Sequence, residues 1–236
     1  MKSKLSLRPQ VEDPTYRYER KFLIEEISSR QVQEIIRLHP ALFTQPFPPR
    51  YINNIYLDTP DLDNYHANVN GDMQRHKVRI RWYGELFREV DKPVLEIKIK
   101  EGLVGHKLSF TLAPLDFHRG ADKHQLKKLF RESSLPPEIL EKLLRLEPVL
   151  LNRYYRWYYA TTCSDYRATV DTNLTYYQFR HLGGPFQNKS RDRTHTIVEL
   201  KYGLQQENSA GRIAAALPFS MTRSSKYIMG IERVYL

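Results

Sequence analysis

Charge recurs at every second position in five separated stretches of this chain. Lys77-Val78-Arg79-Ile80-Arg81-Trp82 alternates cation with apolar residue, and Pro93-Val94-Leu95-Glu96-Ile97-Lys98-Ile99-Lys100 sets Glu96, Lys98 and Lys100 against Leu95, Ile97 and Ile99. The pattern returns in Tyr18–Ile24, Tyr166–Asp171 and Ile197–Tyr202. Successive side chains on a strand point to opposite faces, so each stretch separates a charged face from an apolar one. The cations expected to share one face are Lys21, Arg79, Arg81, Lys98, Lys107, Arg156, Arg167, Lys201 and Lys226. At about 4 Å and an effective dielectric near 20, each like-charge pair costs about 4 kcal/mol. Such a face makes sense only if it is wet and holds an anion, and arginine grips phosphate oxygens bidentately. The competing reading is an ordinary half-exposed strand with its charges in water; it holds best for Lys201 and Lys100 taken singly.

Carboxylates on these faces are fewer: Glu19, Glu96, Asp171 and Glu199. A lone glutamate beside phosphates suits Mg2+ or Mn2+, which take one or two carboxylates plus substrate oxygens. Glu199 is the candidate ligand, with an ion pair to Lys201 or a neighbouring arginine as the alternative. Asp171 is expected to order Arg167 or to cap the turn at Thr172-Asn173, and Asp58 to serve a turn or helix entry. Other chemistries lack their residues. The eight histidines show no HExxH spacing, Gly102-Leu103-Val104-Gly105 is not a phosphate-cradling P-loop, and no Gly-x-Ser-x-Gly occurs. Cys163 is the only cysteine, which excludes an intrachain disulfide and a cysteine-based metal site.

The elements that must position these residues can be read in order. Residues 1–13 are a flexible lead-in, and a strand follows at about 16–25. A helix capped by Ser28 or Ser29 runs to about Leu38. A second strand covers Tyr51–Asp58, and a short helix covers about 61–69. After the two organising strands, Val94–Thr111 reads as a hairpin and Gly84–Lys92 as a polar connection. Residues 114–148 form a helical insert divided by Pro136-Pro137. Strands are expected at 152–159, 166–173 and 195–202, a loop at 181–193, a helix at 209–217, and a last short strand near 231–236. The expected fold class is α+β. About eight antiparallel strands close into a barrel with the charge inside and helices outside, in one domain over 14–236. With 236 residues and a net charge of +10, the chain can bury a sizeable core and suits an anionic partner. No run approaches the roughly 18 apolar residues of a membrane span, and residues 1–10 carry no signal-peptide core, so a cytoplasmic location is expected.

The ordered pieces resemble a known family. Tyr18-Glu19-Arg20-Lys21-Phe22 looks like the opening strand of a triphosphate tunnel enzyme. Further pieces are similar to the VTC domain, the catalytic domain of vacuolar transporter chaperone polyphosphate polymerases. These are Ile55–Pro60, Val78–Tyr83, Leu95–Lys98, Arg153–Arg156, Arg167–Asn173, Val198–Tyr202 and Ser225–Tyr227. The resemblance implies a basic tunnel of the CYTH-like superfamily. It implies phosphate contacts from Lys21, Arg79, Arg81, Lys98, Lys107, Arg156, Arg167, Lys201 and Lys226, with Arg79, Arg81, Lys98, Arg156 and Arg167 closest to the chemistry. It also implies Glu199 as ligand to Mn2+ or Mg2+. The implied reaction moves the ATP γ-phosphoryl group onto a phosphate or polyphosphate end. Alternatives are a metal-dependent triphosphatase of the same fold and a non-catalytic polyphosphate or RNA binder. The implied partners are ATP and polyphosphate, with no specific nucleic acid. The sequence shows no SPX domain or membrane helix, so a stand-alone form is expected, with any membrane-protein partner in a separate chain.

Overall fold

The computed structural model describes residues 17–101, 104–179 and 186–236. Its strands are β1 (Arg17–Ile24), β2 (Arg50–Asp58), β3 (Gln74–Tyr83), β4 (Glu89–Val90), β5 (Val94–Glu101), β6 (Val104–Thr111), β7 (Leu115–Asp116), β8 (Glu147–Ala160), β9 (Tyr166–Phe179), β10 (Phe186–Asp192) and β11 (Thr196–Gly203). The helices are α1 (Ser29–Arg37), α2 (Asp63–Asn70), α3 (Lys123–Glu132), α4 (Pro137–Leu144), α5 (Glu207–Ala215) and α6 (Lys226–Tyr235). The large sheet is antiparallel, in the order β1-β11-β9-β8-β2-β3-β5-β6, with β10 also on β9; β4 pairs with β7 apart from it.

The expected closed barrel is not met by a closed hydrogen-bond ladder: among the described residues β1 and β6 end the path unpaired with each other. The sheet nevertheless curls strongly. Six ladder steps of about 4.8 Å would put β5 roughly 29 Å from β1 in a flat sheet. Instead the charge of Lys98 on β5 interacts with Glu19 on β1 and with Lys201 and Glu199 on β11. Lys21 of β1 reaches the Ser224 carbonyl at 3.4 Å, and Lys77 of β3 donates to the adjacent Ser225 Oγ at 3.0 Å. Residues 221–225 therefore strap the β1 edge to β3. Thr222 N–H donates to the Lys21 carbonyl at 2.8 Å, and Leu23 N–H to Thr222 Oγ1 at 3.0 Å.

Alternation decides where the cores sit. The apolar residues opposite the cations face outward and are covered by helices. Ile80, Trp82, Leu95 and Ile97 pack with Leu126, Leu129, Phe130 and Leu143 of α3 and α4. Phe22, Val198, Leu200 and Val170 pack with Val32 and Ile36 of α1 and Ala210 of α5. Ser28 caps α1 through a reciprocal capping box with Gln31. A third cluster lies on the charged face itself: Tyr227, Ile231 and Val234 of α6 pack on Ile52, Tyr56, Leu150, Tyr154, Tyr176 and Ile197. Asp58 ties this end together by accepting from the Asn64 and Tyr65 amides at the start of α2 and from the Tyr227 hydroxyl.

Several expectations need correction. The short strand expected near 231–236 is the second half of α6, because Tyr227, Ile231 and Val234 fall at helical spacing and all three are buried. The loop expected at 181–193 is partly β10, whose polar residues pair with the long β9; residues 180–185 lie outside the described residues, as do the lead-in 1–13 and Gly102. β8 begins at Glu147 and β9 continues to Phe179, both beyond the expected limits, and the 84–92 connection contains β4.

Gly230 is where α6 meets the sheet most closely. A Cβ there would come within 2.4 Å of Leu150 Cδ2 and 2.7 Å of Tyr176 Cδ1. Gly230→Ala is expected to cost about 1–3 kcal/mol through overpacking. A melting experiment should show a loss of roughly 2–12 °C; an unchanged midpoint would mean that α6 does not seat on this face.

Candidate active site

The cations gather in two clusters, each built around carboxylates. On β3, β5 and β6, Glu96 is held by Arg79 at 2.6 Å, Arg81 at 3.4 Å and Lys107 at 3.2 Å. These residues are opposite one another in register: Arg79 faces Glu96 across β3–β5, and Lys98 faces Lys107 across β5–β6. Arg81 also donates to Asn54 Oδ1 at 3.0 Å, and Asn54 in turn to Asn152 Oδ1 at 2.8 Å. That buried amide pair links the first cluster to β8.

The second cluster spans β1, β8, β9, β11 and the first residue of α6. Arg156 binds Asp171 bidentately at 2.6 Å through both Nε and Nη2. Lys226 reaches Asp171 at 2.6 Å and Glu199 at 3.0 Å. Lys201 bridges Glu199 at 3.1 Å and Glu19 at 3.2 Å, and Lys21 lies 3.4 Å from Glu19. Arg156 and Lys226 both lie over the buried Tyr154 ring, with 5.2 and 5.0 Å to its centroid.

The protonation pattern divides these residues into two kinds. Burial opposes ionisation of Glu96, but Arg79, Arg81 and Lys107 together hold its carboxyl well below the usual range. Burial opposes charge on Glu199 too, and Lys226, Lys201 and Arg156 override it in the same direction. Lys226 is likewise held charged despite its burial, by Asp171 and Glu199. Lys77 and Lys98 behave differently. Burial among protein atoms, then repulsion from Lys21, Lys98, Arg75 and Arg79, lowers Lys77 to about 7. Burial also lowers Lys98 to about 8, with Arg79 and Lys201 adding to the shift and Glu19 and Glu199 opposing it. Yet solvent reaches Lys98. A side chain surrounded by protein and still touched by water belongs in a wet concavity. Lys77 and Lys98 stand opposite each other in register, and among the described residues neither forms an ion pair with a carboxylate.

The structure thus brings together Lys21, Arg79, Arg81, Lys98, Lys107, Arg156, Lys201 and Lys226 from the expected set, on one face. Arg167 is not drawn in. By register it shares the face of Lys201, but it is exposed and, among the described residues, forms no ion pair. Asp171 does not order Arg167 either; its oxygens go to Arg156 and Lys226, which reach it from β8 and α6. Lys77 was absent from the expected set, although its alternation with Arg79 and Arg81 places it on their face. The residues fit a hard divalent ion through a pair of carboxylates. Glu19 and Glu199 are close enough to oppose each other's ionisation, and such an ion takes one or two carboxylates and completes its shell from phosphate and water. Among the described residues no group of three or more His, Cys, Asp or Glu could hold an ion unaided.

Residues 16–235 match the VTC domain. No curated protein matches the chain. Among solved structures, the PH1819 protein from Pyrococcus horikoshii OT3 is similar at 16% identity and TM-score 0.47, over 92% of this chain and 96% of that one. A candidate adenylate cyclase from Vibrio parahaemolyticus is similar at 12% and 0.49, over 91% and 98%. A Hippeastrum protein, HpAC1, is similar at 14% and 0.53, over 92% and 96%; it is named as a candidate adenylyl cyclase with a dominant triphosphatase activity. At such identity the likeness to the Hippeastrum protein shows a shared fold. With the family match spanning nearly its whole length, the chain belongs to the VTC domain family.

Proposed function

We propose that this protein is a metal-dependent polyphosphate polymerase. It would transfer the γ-phosphoryl group of ATP to a phosphate or polyphosphate end in the basic concavity. A terminal phosphate oxygen of the acceptor attacks Pγ, the bond from Pγ to the β-phosphate bridging oxygen breaks, and ADP leaves. One observation carries the reading. Lys21, Lys77, Arg79, Arg81, Lys98, Lys107, Arg156, Lys201 and Lys226 gather on one face around the carboxylates Glu19, Glu96, Asp171 and Glu199. Nine cations thus gather around four anions, and among the described residues Lys77 and Lys98, which form no ion pair with a carboxylate, are the ones whose charge the site suppresses.

Phosphoryl transfer asks a protein mainly for positioning and charge neutralisation. Arg79, Arg81 and Arg156 supply rigid bidentate donors already oriented by Glu96, Asp171 and Asn54. Lys77 and Lys98 supply charge that is completed when the anion arrives. Lys226, held charged at the start of α6, faces the same space. Glu199, with Glu19 beside it, would hold Mn2+ or Mg2+, which when bound neutralises phosphate oxygens as a Lewis acid. A second reading, a triphosphatase of the same fold, is favoured by the Glu19–Glu199 pair, since hydrolysis needs a water activated near carboxylate-bound metal. The membrane-protein partner belongs to the same proposal; no helix among the described residues is long and apolar enough to cross a membrane.

Purified protein incubated with ATP and Mn2+ should yield ADP and phosphate chains resolved on a gel. Orthophosphate as the only phosphate product would establish the triphosphatase, and no turnover would remove both. Lys98→Ala separates function from folding, because Lys98 lacks a carboxylate partner among the described ion pairs and faces Lys77. Turnover should fall on the order of 10- to 100-fold, while the melting temperature holds or rises as a like-charge pair is relieved. Full activity in this variant would take Lys98 out of the site.

Proton linkage follows from the same two lysines. At pH 8, Lys77 with a value of about 7 is mostly neutral and Lys98 with a value of about 8 is half neutral. A bound polyanion favours the ammonium form of both, so binding takes up about one proton or more. Affinity for tripolyphosphate therefore falls as pH rises from 7 to 9. Calorimetry at pH 8 in buffers of different ionisation enthalpy should give heats that differ in proportion. Buffer-independent heats would show that these lysines do not meet the ligand.

A further inference from the structure

Among the described residues the buried hydroxyl of Thr169 has no hydrogen-bond partner. Thr169 lies on β9 between Arg167 and Asp171, two residues from each, and is 9% exposed. Alternation puts it on the charged face with Asp171. In register it stands directly opposite Glu199 of β11, and Glu199 stands opposite Lys21 of β1. Side chains paired in this way have Cβ atoms about 4.5–5.5 Å apart. The Thr169 oxygen is therefore within reach of whatever the Glu199 carboxylate holds. The fold itself does not call for a hydroxyl at this position. Valine has nearly the same shape, favours strands as well, and would bury no unmatched polar group.

The neighbours of Thr169 narrow what its hydroxyl meets. Phosphate oxygens need donors and positive charge, and Lys226, Lys201, Arg156 and Lys21 already act on Glu199. A divalent ion needs oxygens instead. Glu199 and Glu19 supply them, but the charge of Glu199 opposes ionisation of Glu19. A third carboxylate would bring a further oxygen only with further repulsion. A neutral hydroxyl brings the oxygen and no charge. Hard ions such as Mg2+ and Mn2+ accept such a ligand beside carboxylates and phosphates, as they do the Ser or Thr hydroxyl of phosphate-binding loops.

We infer that Thr169 is a further oxygen ligand of the divalent ion, so that the protein offers two carboxylates and one hydroxyl. The inference rests on the metal-binding reading proposed above and goes further, in adding to Glu199 and Glu19 a residue that neither charge nor alternation singles out. Thr169 here binds the ion and exchanges no proton in phosphoryl transfer.

The test measures the affinity for linear tripolyphosphate by calorimetry, once with EDTA and once with Mn2+, on the wild type, Thr169→Val, Thr169→Ser and Glu199→Gln. The ligand differs in charge between the two conditions, so the informative quantity is the change each variant causes within each. Thr169→Val should weaken binding about 10- to 100-fold with Mn2+, the scale on which lost partners act at metal sites, and leave it within about twofold with EDTA. Thr169→Ser should restore the Mn2+ value, because it keeps the oxygen. The melting temperature of Thr169→Val should hold or rise, since the buried unmatched hydroxyl is gone; a structural role for that hydroxyl would lower it. Equal changes under both conditions, or no change under either, would overturn the ligand role of Thr169. In those cases a Mn2+-specific loss in Glu199→Gln would leave the metal reading standing. Absence of that loss in Glu199→Gln would overturn both.

Discussion

Unbalanced positive charge on one face of a curled sheet is the constraint to which the other features of this structure answer. Nine lysines and arginines gather on that face around four carboxylates, each of which is engaged by at least two of them. The acids do not neutralise the face; they fix the orientation of the arginines. Glu96 sets Arg79 and Arg81, and Asp171 sets Arg156 and Lys226. What remains uncompensated is concentrated at Lys77 and Lys98, where burial first and neighbouring cations second suppress protonation. Such a surface is costly without an anion and becomes favourable with one.

The helices follow from the same constraint. A sheet whose inner face is charged cannot form its hydrophobic core there, so the core moves to the outer face, under α1, α5, α3 and α4. Among the described residues, the inner face carries its buried apolar cluster where α6 fills it. Tyr227, Ile231 and Val234 close that end, while Lys226, the first residue of the same helix, reaches Asp171 and Glu199. One helix is thus both plug and ligand-facing element. The strap of residues 221–225 leading into it joins β1 to β3 across the concavity, where no ladder among the described residues does so.

Much of this was legible from alternation, because period-two patterning states directly which side chains share a face. Arg79, Arg81, Lys98 and Glu96 fall together for that reason, and the Ser28 cap and Pro136-Pro137 break mark helix ends by local chemistry. The misses are of another kind. Pairing of Asp171 with Arg156 and Lys226 depends on strands and a helix distant in sequence, so no local pattern reveals it. Tyr227, Ile231 and Val234 do carry helical spacing, but their aromatic and β-branched types also favour strands, and the element is short. Alternation sets the faces of a sheet without stating its curvature; closure is the expectation, and among the described residues the sheet curls and is strapped without a closing ladder. Arg167 shows the same limit: its face is legible, but its exposure at the strand end is not.

The most direct test of the charge-driven account is equilibrium binding of linear tripolyphosphate to the intact protein across a series of salt concentrations. A wet face of converged cations predicts saturable binding that weakens steeply as salt rises, since exposed charges are screened within about 10 Å at 0.1 M. Absence of binding at low salt, or an affinity indifferent to salt, would contradict it.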